Sequence, residues 1–399
     1  MGGVSGAVAG QENAQDPVPR AHPARNAIPW IFACEEGLAV DCGPWVHTQG
    51  LIEAMRSRGH AVGVCLGTYH GGGVLRRVRD LGGVVRRFWT LLSGPQGVVH
   101  ARLSLFGWLL AILSRLRGWV HVLELNGIVS EELALLEDPR GRLRRAFYLF
   151  SERVCCRLSQ WVVCVSPGIR DHVVRRYALP SHKVVVVPNG VASIFFEHRD
   201  RARARERFGM GIDQLWLCFA GGLYPWHGVD LVVEALAKLP PKADSVHFMI
   251  AGDGPEQEAL QRRAAELGVS HRIHWIGRVT HEEIPDLLAA ADMGCMLFRP
   301  VRSIAGAPLK LVEYLTAGLP VLVSDVPGCR EAVLETGAGI LVDRPSPDSV
   351  AEAIARFAED PGMWRSRAER ARAAFGARHS WDQTASQLED LYGSGNGEA

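Results

Sequence analysis

Short apolar runs and longer amphipathic stretches alternate along most of the chain. Residues 28–34, 61–67 and 215–220 have the length and branching of buried parallel strands. Between the first two runs, apolar side chains recur at helical spacing over residues 45–58. The repeated order of strand, helix and strand predicts an α/β fold in which helices cover parallel sheets.

This alternation predicts two domains. It runs through residues 28–198, where a further strand is expected at 84–88, and it begins again in residues 199–380. The charged, polar stretch 199–209 is the expected linker. Residues 1–27 are rich in Gly, Ala and Pro and show no periodicity, so we predict a disordered tail there.

Composition and charge narrow the functional classes. The 399 residues suffice for two domains, and 47% hydrophobic with 22% charged residues is typical of globular proteins. A formal net charge of +1 gives no general indication of nucleic-acid binding. The first half is basic and the second acidic, so we expect the amino-terminal domain to meet an anionic acceptor or, peripherally, a membrane surface. A solvated, evenly spread charge explains the asymmetry equally well.

The cysteines indicate a reducing compartment. Most of the nine lie inside apolar runs, as Cys164 and Cys218 do, which is typical of small core residues. The first 26 residues carry no apolar signal segment, and the apolar segment 103–113 is too short to span a bilayer. We therefore expect a cytoplasmic protein. The 40 arginines against four lysines suggest a GC-rich bacterial genome.

The most informative stretch is residues 307–331, APLKLVEYLTAGLPVLVSDVPGCRE. It predicts a short helix, a turn and a buried strand, and ligands bind beyond the carboxyl ends of such strands. Lys310 and Glu313 are three residues apart, so they share one side of the helix. An ammonium and a carboxylate so placed suit the phosphates and ribose hydroxyls of a sugar nucleotide. An exposed helical ion pair fits the spacing equally well.

The pattern P-L-K-L-x-E-Y-L-x-A-G-x-P-V, followed by S-D-V-P-G, resembles the donor-site block of glycosyltransferase family 4. Arg58-Gly59-His60-x-Val62 and the later V-x-V-x-P-N-G-V of residues 184–191 also resemble segments of that family. The resemblance covers roughly residues 28–392. It implies a GT-B fold, in which two Rossmann-like domains face each other across a cleft. Residues 381–399 would then supply a terminal helix that crosses back to the first domain, and a tail.

The resemblance also implies an activity. The chain is expected to be a retaining glycosyltransferase that moves a sugar from a nucleotide-diphosphate sugar, expected to be UDP-linked, to a hydroxyl acceptor. That acceptor is a glycan, a lipid-linked intermediate or a natural product. Neither a cofactor nor a metal is expected, because the sequence has no D-x-D pair at a strand end. The departing phosphate would itself help to take the acceptor proton.

The expected donor site follows from residues that match the family's motif positions. Lys310, Glu313 and His227 are the expected catalytic residues. Lys310 and His227 would contact the diphosphate, and Glu313 would accept hydrogen bonds from the ribose hydroxyls. Donor binding is expected of Gly221, Gly222, Gly228, Arg278, Pro308, Leu309, Lys310 and Glu313.

Three positions depart from the family pattern. Gly222 stands where many members have Arg, His227 where they have Lys, and Ala305 where they have a first Glu. A neighbouring anion favours the protonated form of histidine, so His227 can replace one cation. Lys310 then becomes the main cation for the diphosphate.

Acceptor-side contacts are expected at the strand and helix ends of the first domain: Gly43, His47, Glu124, Asn126 and Asn189. Structural interpretations compete with four of these assignments. His47 would then face solvent, and Glu124, Asn126 and Asn189 would be ordinary turn residues.

Two other functions compete with the transferase. The altered loop motivates a non-catalytic GT-B subunit that binds a sugar nucleotide or a partner. A sugar-nucleotide epimerase of the same fold ranks lower, because such enzymes lack the K-L-x-E-Y block.

Overall fold

The computed structural model describes residues 27–34, 43–67, 74–133, 139–298 and 309–395. The predicted tail lies almost entirely outside these ranges, as do Ala305 and Pro308.

Six strands in the first half form one parallel sheet. The elements are β1 (Trp30–Cys34), α1 (Gly43–Ser57), β2 (Val62–Leu66), α2 (Val74–Leu91), β3 (Val98–Arg102), α3 (Gly107–Leu116), β4 (Val120–Leu125), α4 (Val129–Glu132), α5 (Pro139–Leu158), β5 (Trp161–Cys164), α6 (Pro167–Tyr177) and β6 (Val184–Val186). The strand order is β2-β1-β3-β4-β5-β6. Every residue of β1 is buried, as expected of a strand covered by helices on both faces.

The second half builds a second parallel sheet. Its elements are α7 (Arg201–Arg207), β7 (Leu215–Ala220), α8 (Val229–Leu236), β8 (Val246–Ala251), α9 (Gln257–Glu266), β9 (Ile273–Gly277), α10 (Ile284–Ala290), β10 (Met293–Met296), α11 (Leu309–Thr316), β11 (Val321–Ser324), α12 (Cys329–Thr336), β12 (Gly339–Val342), α13 (Pro347–Glu359), α14 (Pro361–Arg378) and α15 (Trp381–Gly395). The strand order is β12-β11-β10-β7-β8-β9. The predicted α/β class, with two Rossmann-like sheets, is confirmed.

Helix α15 packs on the first sheet although it follows the second in the chain. Its residues Leu388 and Tyr392 share a core with Trp30 and Leu51. At its far end, Glu389 accepts hydrogen bonds from Arg58 Nε at 2.8 Å and Nη2 at 2.6 Å. These bonds hold the pKa of the Glu389 carboxyl below its ordinary value. The R-G-H segment therefore anchors the terminal helix.

The predicted strand at residues 84–88 is wrong, because these residues lie within α2. Val84, Phe88 and Leu92 are buried and four residues apart, which is the spacing of one helix face and not that of a strand. The third strand of the sheet is instead Val98–Arg102, whose backbone pairs in parallel with both β1 and β4.

The sequence did not predict a helix in the expected linker at residues 199–209, but this stretch contains α7. Asp200 caps this helix by accepting hydrogen bonds from the N–H groups of Ala202 and Arg203. Arg205 is buried and donates to Asp292 at 2.6 Å. This arginine-rich stretch is thus a packed helix, because the buried carboxylate of Asp292 pairs with its arginines.

Candidate functional site

At the carboxyl edge of the second sheet the strand order reverses where β7 lies beside β10, and a crevice is expected at such a point. The chain leaves β7 for β8 on one side, while β10, β11 and β12 extend on the other. Ligands of open α/β sheets bind at such a reversal of strand order. Gly221 directly follows β7, and Gly228, at the end of the same loop, lies against Leu297 just beyond β10.

Close backbone approach makes glycine necessary in this crevice. Gly221 has φ +143°, and a β-carbon there would lie 2.8 Å from Lys310 Nζ. Gly252, at the end of β8, has φ +132°, and its β-carbon would lie 2.0 Å from the Gly221 carbonyl oxygen. A side chain at Gly221 would fill the space beside the Lys310 ammonium, and one at Gly252 would collide with the Gly221 backbone. Glycine at both positions therefore keeps this backbone in place and accessible to a ligand.

Lys310 stands in the first turn of α11 and reaches β7. Its Nζ lies 4.3 Å from the centre of the Phe219 ring, a cation–π distance. Tyr314, one turn later, accepts a hydrogen bond from the Ala220 N–H at 2.8 Å. This bond ties α11 to the carboxyl end of β7, and so it fixes the lysine beside Gly221. Leu309 packs on the first-domain core, so α11 begins where the two domains meet.

Glu313 lies one turn from Lys310 and is buried. Its Oε1 accepts a hydrogen bond from His281 Nε2 at 2.8 Å. His281 stacks at a tilt on Phe195, with ring centres 5.2 Å apart. We did not identify this histidine from the sequence. The only signal was its place shortly after β9, another strand that ends at the same edge of the sheet.

His227 is held inside the first loop of the second domain. Its Nδ1 donates to the Gly222 carbonyl at 2.6 Å. Its ring meets the edges of Tyr224 and Trp226, which stack on each other at 4.9 Å with 3° between their planes. Because Nδ1 is the donor to this carbonyl, Nε2 can donate only when the ring is protonated.

Arg278 and Asp253 face each other across the ends of β9 and β8. Both are exposed, and 3.8 Å separates Arg278 Nη1 from Asp253 Oδ2. A pair so open to solvent contributes little to stability and leaves the guanidinium accessible.

The polar residues at the edge of the first sheet bind one another. Glu124 Oε1 accepts a hydrogen bond from His47 Nε2 at 2.7 Å, and His100 and Arg102 approach its Oε2 at 3.5 and 3.9 Å. Burial alone would raise the pKa of Glu124, but the two histidines hold that pKa well below its ordinary value. The reading of His47 as solvent-facing is wrong, since it is buried under Trp381.

The other acceptor-side residues have different settings. Gly43 is exposed at the start of α1. Asn126 follows β4, and its Nδ2 is buried with no hydrogen-bond partner in the described part of the chain. Asn189 is buried next to Gly190, where a β-carbon would lie 2.6 Å from Trp381 Cα. Asn126 is the residue of this group with a buried donor left for a ligand.

The structure thus brings Gly221, Lys310 and His227 to one loop and helix end, and pairs Glu313 with His281. It joins His47 to Glu124 on the other side. Within the described residues, no group of three or more His, Cys, Asp or Glu is arranged to hold a metal ion. No helix in those residues is long and apolar enough to cross a membrane.

Two family models match this chain. Residues 43–193 match Glycosyltransferase Family 4, and residues 200–374 match Glycosyl transferases group 1. The first range contains most of the first sheet and the second contains all of the second sheet, so the two matches account for both halves of the fold.

Curated relatives match mainly over part of their length. The alpha-D-kanosaminyltransferase of Streptomyces kanamyceticus is 28% identical over 61% of this chain and 62% of its own. A GDP-mannose-dependent alpha-(1-6)-phosphatidylinositol monomannoside mannosyltransferase of Mycobacterium tuberculosis is 30% identical over 53% and 56%. The chain therefore spans less than two thirds of these relatives. An uncharacterized glycosyltransferase of Methanocaldococcus jannaschii matches 87% of this chain and 93% of its own at 23% identity.

Solved structures are similar over nearly the whole chain. Sucrose-phosphate synthase from Thermosynechococcus elongatus has a TM-score of 0.76 at 17% identity, covering 94% of this chain and 100% of its own. Anabaena HepE in complex with UDP-glucose has a TM-score of 0.73 at 19% identity, covering 92% and 100%. These likenesses confirm the predicted GT-B fold.

Proposed function

The chain belongs to the glycosyltransferases of group 1, with an amino-terminal half of glycosyltransferase family 4, and we propose that it transfers a glycosyl group with retention of anomeric configuration. The donor is a nucleotide-diphosphate sugar and the acceptor a hydroxyl group. The observation that carries this proposal is the Lys310 ammonium beside Gly221, in a crevice at the reversal of strand order.

The leaving diphosphate needs positive charge to stabilise it as the glycosidic bond breaks. The Lys310 ammonium stands beside backbone that glycine leaves accessible. His227 adds a second cation when the donor's phosphates favour its protonated form. Two such groups can stabilise the departing phosphate without a metal ion, and we propose a metal-independent reaction.

We place the nucleoside of the donor at Glu313, one helical turn from Lys310 on α11. A carboxylate can accept hydrogen bonds from both ribose hydroxyls, and Glu313 is the carboxylate at that position. His281 holds Glu313 Oε1 at 2.8 Å, so it fixes the orientation of the carboxylate before the donor arrives. Arg278 and Asp253, at neighbouring strand ends, border the space for the base.

The acceptor hydroxyl enters from the first domain. The unpartnered amide of Asn126 suits a hydroxyl of the transferred sugar or of the acceptor. Glu124 and His47 are buried and bind each other, and they act by positioning the edge of the sheet. In the retaining reaction the acceptor hydroxyl attacks the sugar on the face from which the diphosphate leaves. The departing phosphate takes the proton of that hydroxyl. A glycan, a lipid-linked intermediate and a natural product all offer such a hydroxyl.

We propose a UDP-sugar as donor. A UDP-glucose complex is known for the similar Anabaena HepE, and a GDP-mannose-dependent enzyme is among the relatives, so guanine is the alternative base.

We also propose that the protein works in the cytoplasm, with its basic amino-terminal domain in peripheral contact with a membrane.

A donor panel tests these proposals. Binding and slow hydrolysis of UDP-, GDP-, ADP- and dTDP-sugars would be measured with and without EDTA. We expect one base to bind, and hydrolysis to persist in EDTA. Loss of hydrolysis in EDTA would contradict the metal-independent reaction. Binding without transfer to any acceptor would favour the non-catalytic subunit, which Gly222 in place of a family arginine also favours. No binding at all would exclude the donor site.

A further inference from the structure

The outer face of α5 carries large apolar side chains in solvent. Leu143, Phe147 and Phe150 are 68%, 50% and 51% exposed. Their spacing of four and three residues places them on one side of the helix. Trp108 of α3 meets Phe150 edge-on, with ring centres 5.9 Å apart, so the apolar strip extends towards α3. Single exposed apolar residues are ordinary, but an aligned strip with two phenylalanines marks an interaction surface.

Arginines border this strip and line a cavity next to it. Arg153 and Arg157 of α5 and Arg176 of α6 surround a cavity of about 430 Å³, together with Phe150. None of the three arginines has a carboxylate partner within the described residues. Arg205 and Arg201 of α7, by contrast, both bind Asp292. The guanidinium groups on α5 and α6 therefore remain available to external anions.

Within the described ranges, no acidic group on this face pairs with those arginines. The carboxylate of α5 that lies nearest, Glu152, is buried and accepts hydrogen bonds from Ser130 and Tyr177. Helices that lie in a membrane interface combine exposed apolar side chains with cations at the border of the apolar strip.

We propose that the outer face of α5, with Arg176 of α6, binds the surface of a bilayer that contains anionic lipids. Leu143 and Phe147 enter the boundary between headgroups and acyl chains, and the arginines bind lipid phosphates. The proposal rests on the membrane contact included in the proposed function and names its surface. It does not depend on the transfer reaction.

Two features favour a membrane over another macromolecule. A second copy bound symmetrically through this face would bring its arginines against those of the first, which costs binding energy. Nucleic acid would use the arginines but leave Leu143 and Phe147 in water. An anionic bilayer satisfies both the cations and the apolar strip.

The position of α5 agrees with a lipid-linked acceptor. The helix follows β4, whose end bears Glu124, and it leads to the start of β5 at the opposite edge of the sheet. The cavity lined by Arg157 and Arg176 is therefore remote from the cleft, whereas Leu143 lies near the cleft edge. A membrane that lies along α5 would not cover the cleft, and a lipid-linked acceptor could reach the cleft near Leu143.

Co-sedimentation of the full chain with vesicles tests the proposal. Vesicles of phosphatidylcholine alone would be compared with vesicles that also contain phosphatidylglycerol. We expect binding to the second only, weakened by salt because exposed charges are screened. The double variant Arg153→Gln/Arg157→Gln should lose about 30-fold in affinity. Leu143→Ser/Phe147→Ser should lose roughly 10-fold or more.

The controls are exposed residues of the other domain. Leu334→Ser, 71% exposed on α12, and Arg203→Gln on α7 should bind vesicles as the unaltered chain does. Donor binding by the α5 variants shows that they fold, and keeps this test separate from that of the transfer reaction. Unaltered vesicle binding by both α5 variants would overturn the proposal. So would a dimer that the Leu143→Ser/Phe147→Ser change dissociates, because a second copy would then occupy this face.

Discussion

At the carboxyl edge of the second sheet, Lys310 stands beside glycines whose backbone a ligand can approach. At the corresponding edge of the first sheet, Glu124 is enclosed by His47 and His100. Both edges end parallel strands and carry charge of both signs. They differ in what surrounds the charges: the first edge buries His47 beneath Trp381, and the second places Lys310 beside Gly221.

The two edges therefore have different roles. At the first edge the carboxylate and the histidines satisfy one another beneath Trp381 of α15, so their interaction supports the docking of that helix. At the second edge Tyr314 bonds the Ala220 N–H and so fixes α11, which carries Lys310. His281 binds the carboxylate of Glu313 on the same helix. Charged residue types at a strand end therefore do not identify a ligand site until their partners are known.

Replacing Lys310 should have the largest effect. Lys310→Ala removes the main cation for the leaving diphosphate, and we expect kcat/KM to fall by about 10²–10³-fold in steady-state assays with the identified donor. Lys242→Ala is the control, because Lys242 is exposed and pairs with Glu359 at 2.9 Å. A Lys310→Ala enzyme within about threefold of the unaltered one would contradict the role.

Replacing Glu124 should affect folding instead. Glu124→Gln keeps the shape but removes the charge that accepts from His47, so we expect about 2 kcal/mol less stability in urea unfolding. Donor affinity at temperatures where the variant is folded should be unchanged. The control Glu131→Gln alters an exposed carboxylate 3.9 Å from Arg145, and should change stability by less than about 0.5 kcal/mol. If Glu124→Gln kept its stability but lost donor affinity, the first edge would be a ligand site, and the comparison of the two edges would be wrong.

Replacing His281 should have the smallest effect of the three. His281→Ala frees the Glu313 carboxylate to turn, and we expect donor-nucleotide affinity to fall about tenfold by calorimetry. The preference for the ribonucleotide over its 2′-deoxy form should shrink, and His281→Gln should restore part of it. The exposed His271 supplies the control variant His271→Ala. Equal losses for both nucleotides would mean that His281 supports the fold and not the ribose contact.

Sequence reasoning succeeded where local pattern and chemistry agree. The segment containing Lys310 and Glu313 was read as helix, turn and strand, and the structure has α11 followed by β11 there. It failed at residues 84–88, where valine-rich sequence resembles a strand although its buried positions are four apart. It failed again at α7, because the pairing of Arg205 with Asp292 joins residues 87 positions apart.

The sequence by itself determined the alternation of strands and helices, the two-sheet architecture and the identity of the charged residues at the strand ends. These follow from periodicity and residue type, which act over a few positions. Only the tertiary structure decided which charges face a cleft and which face each other. His47 and Glu124 are 77 residues apart in the chain, and His281 and Glu313 are 32 apart. Such pairs form when strands and helices pack, and burial then makes each unpaired charge costly, so the partner and not the motif fixes the role.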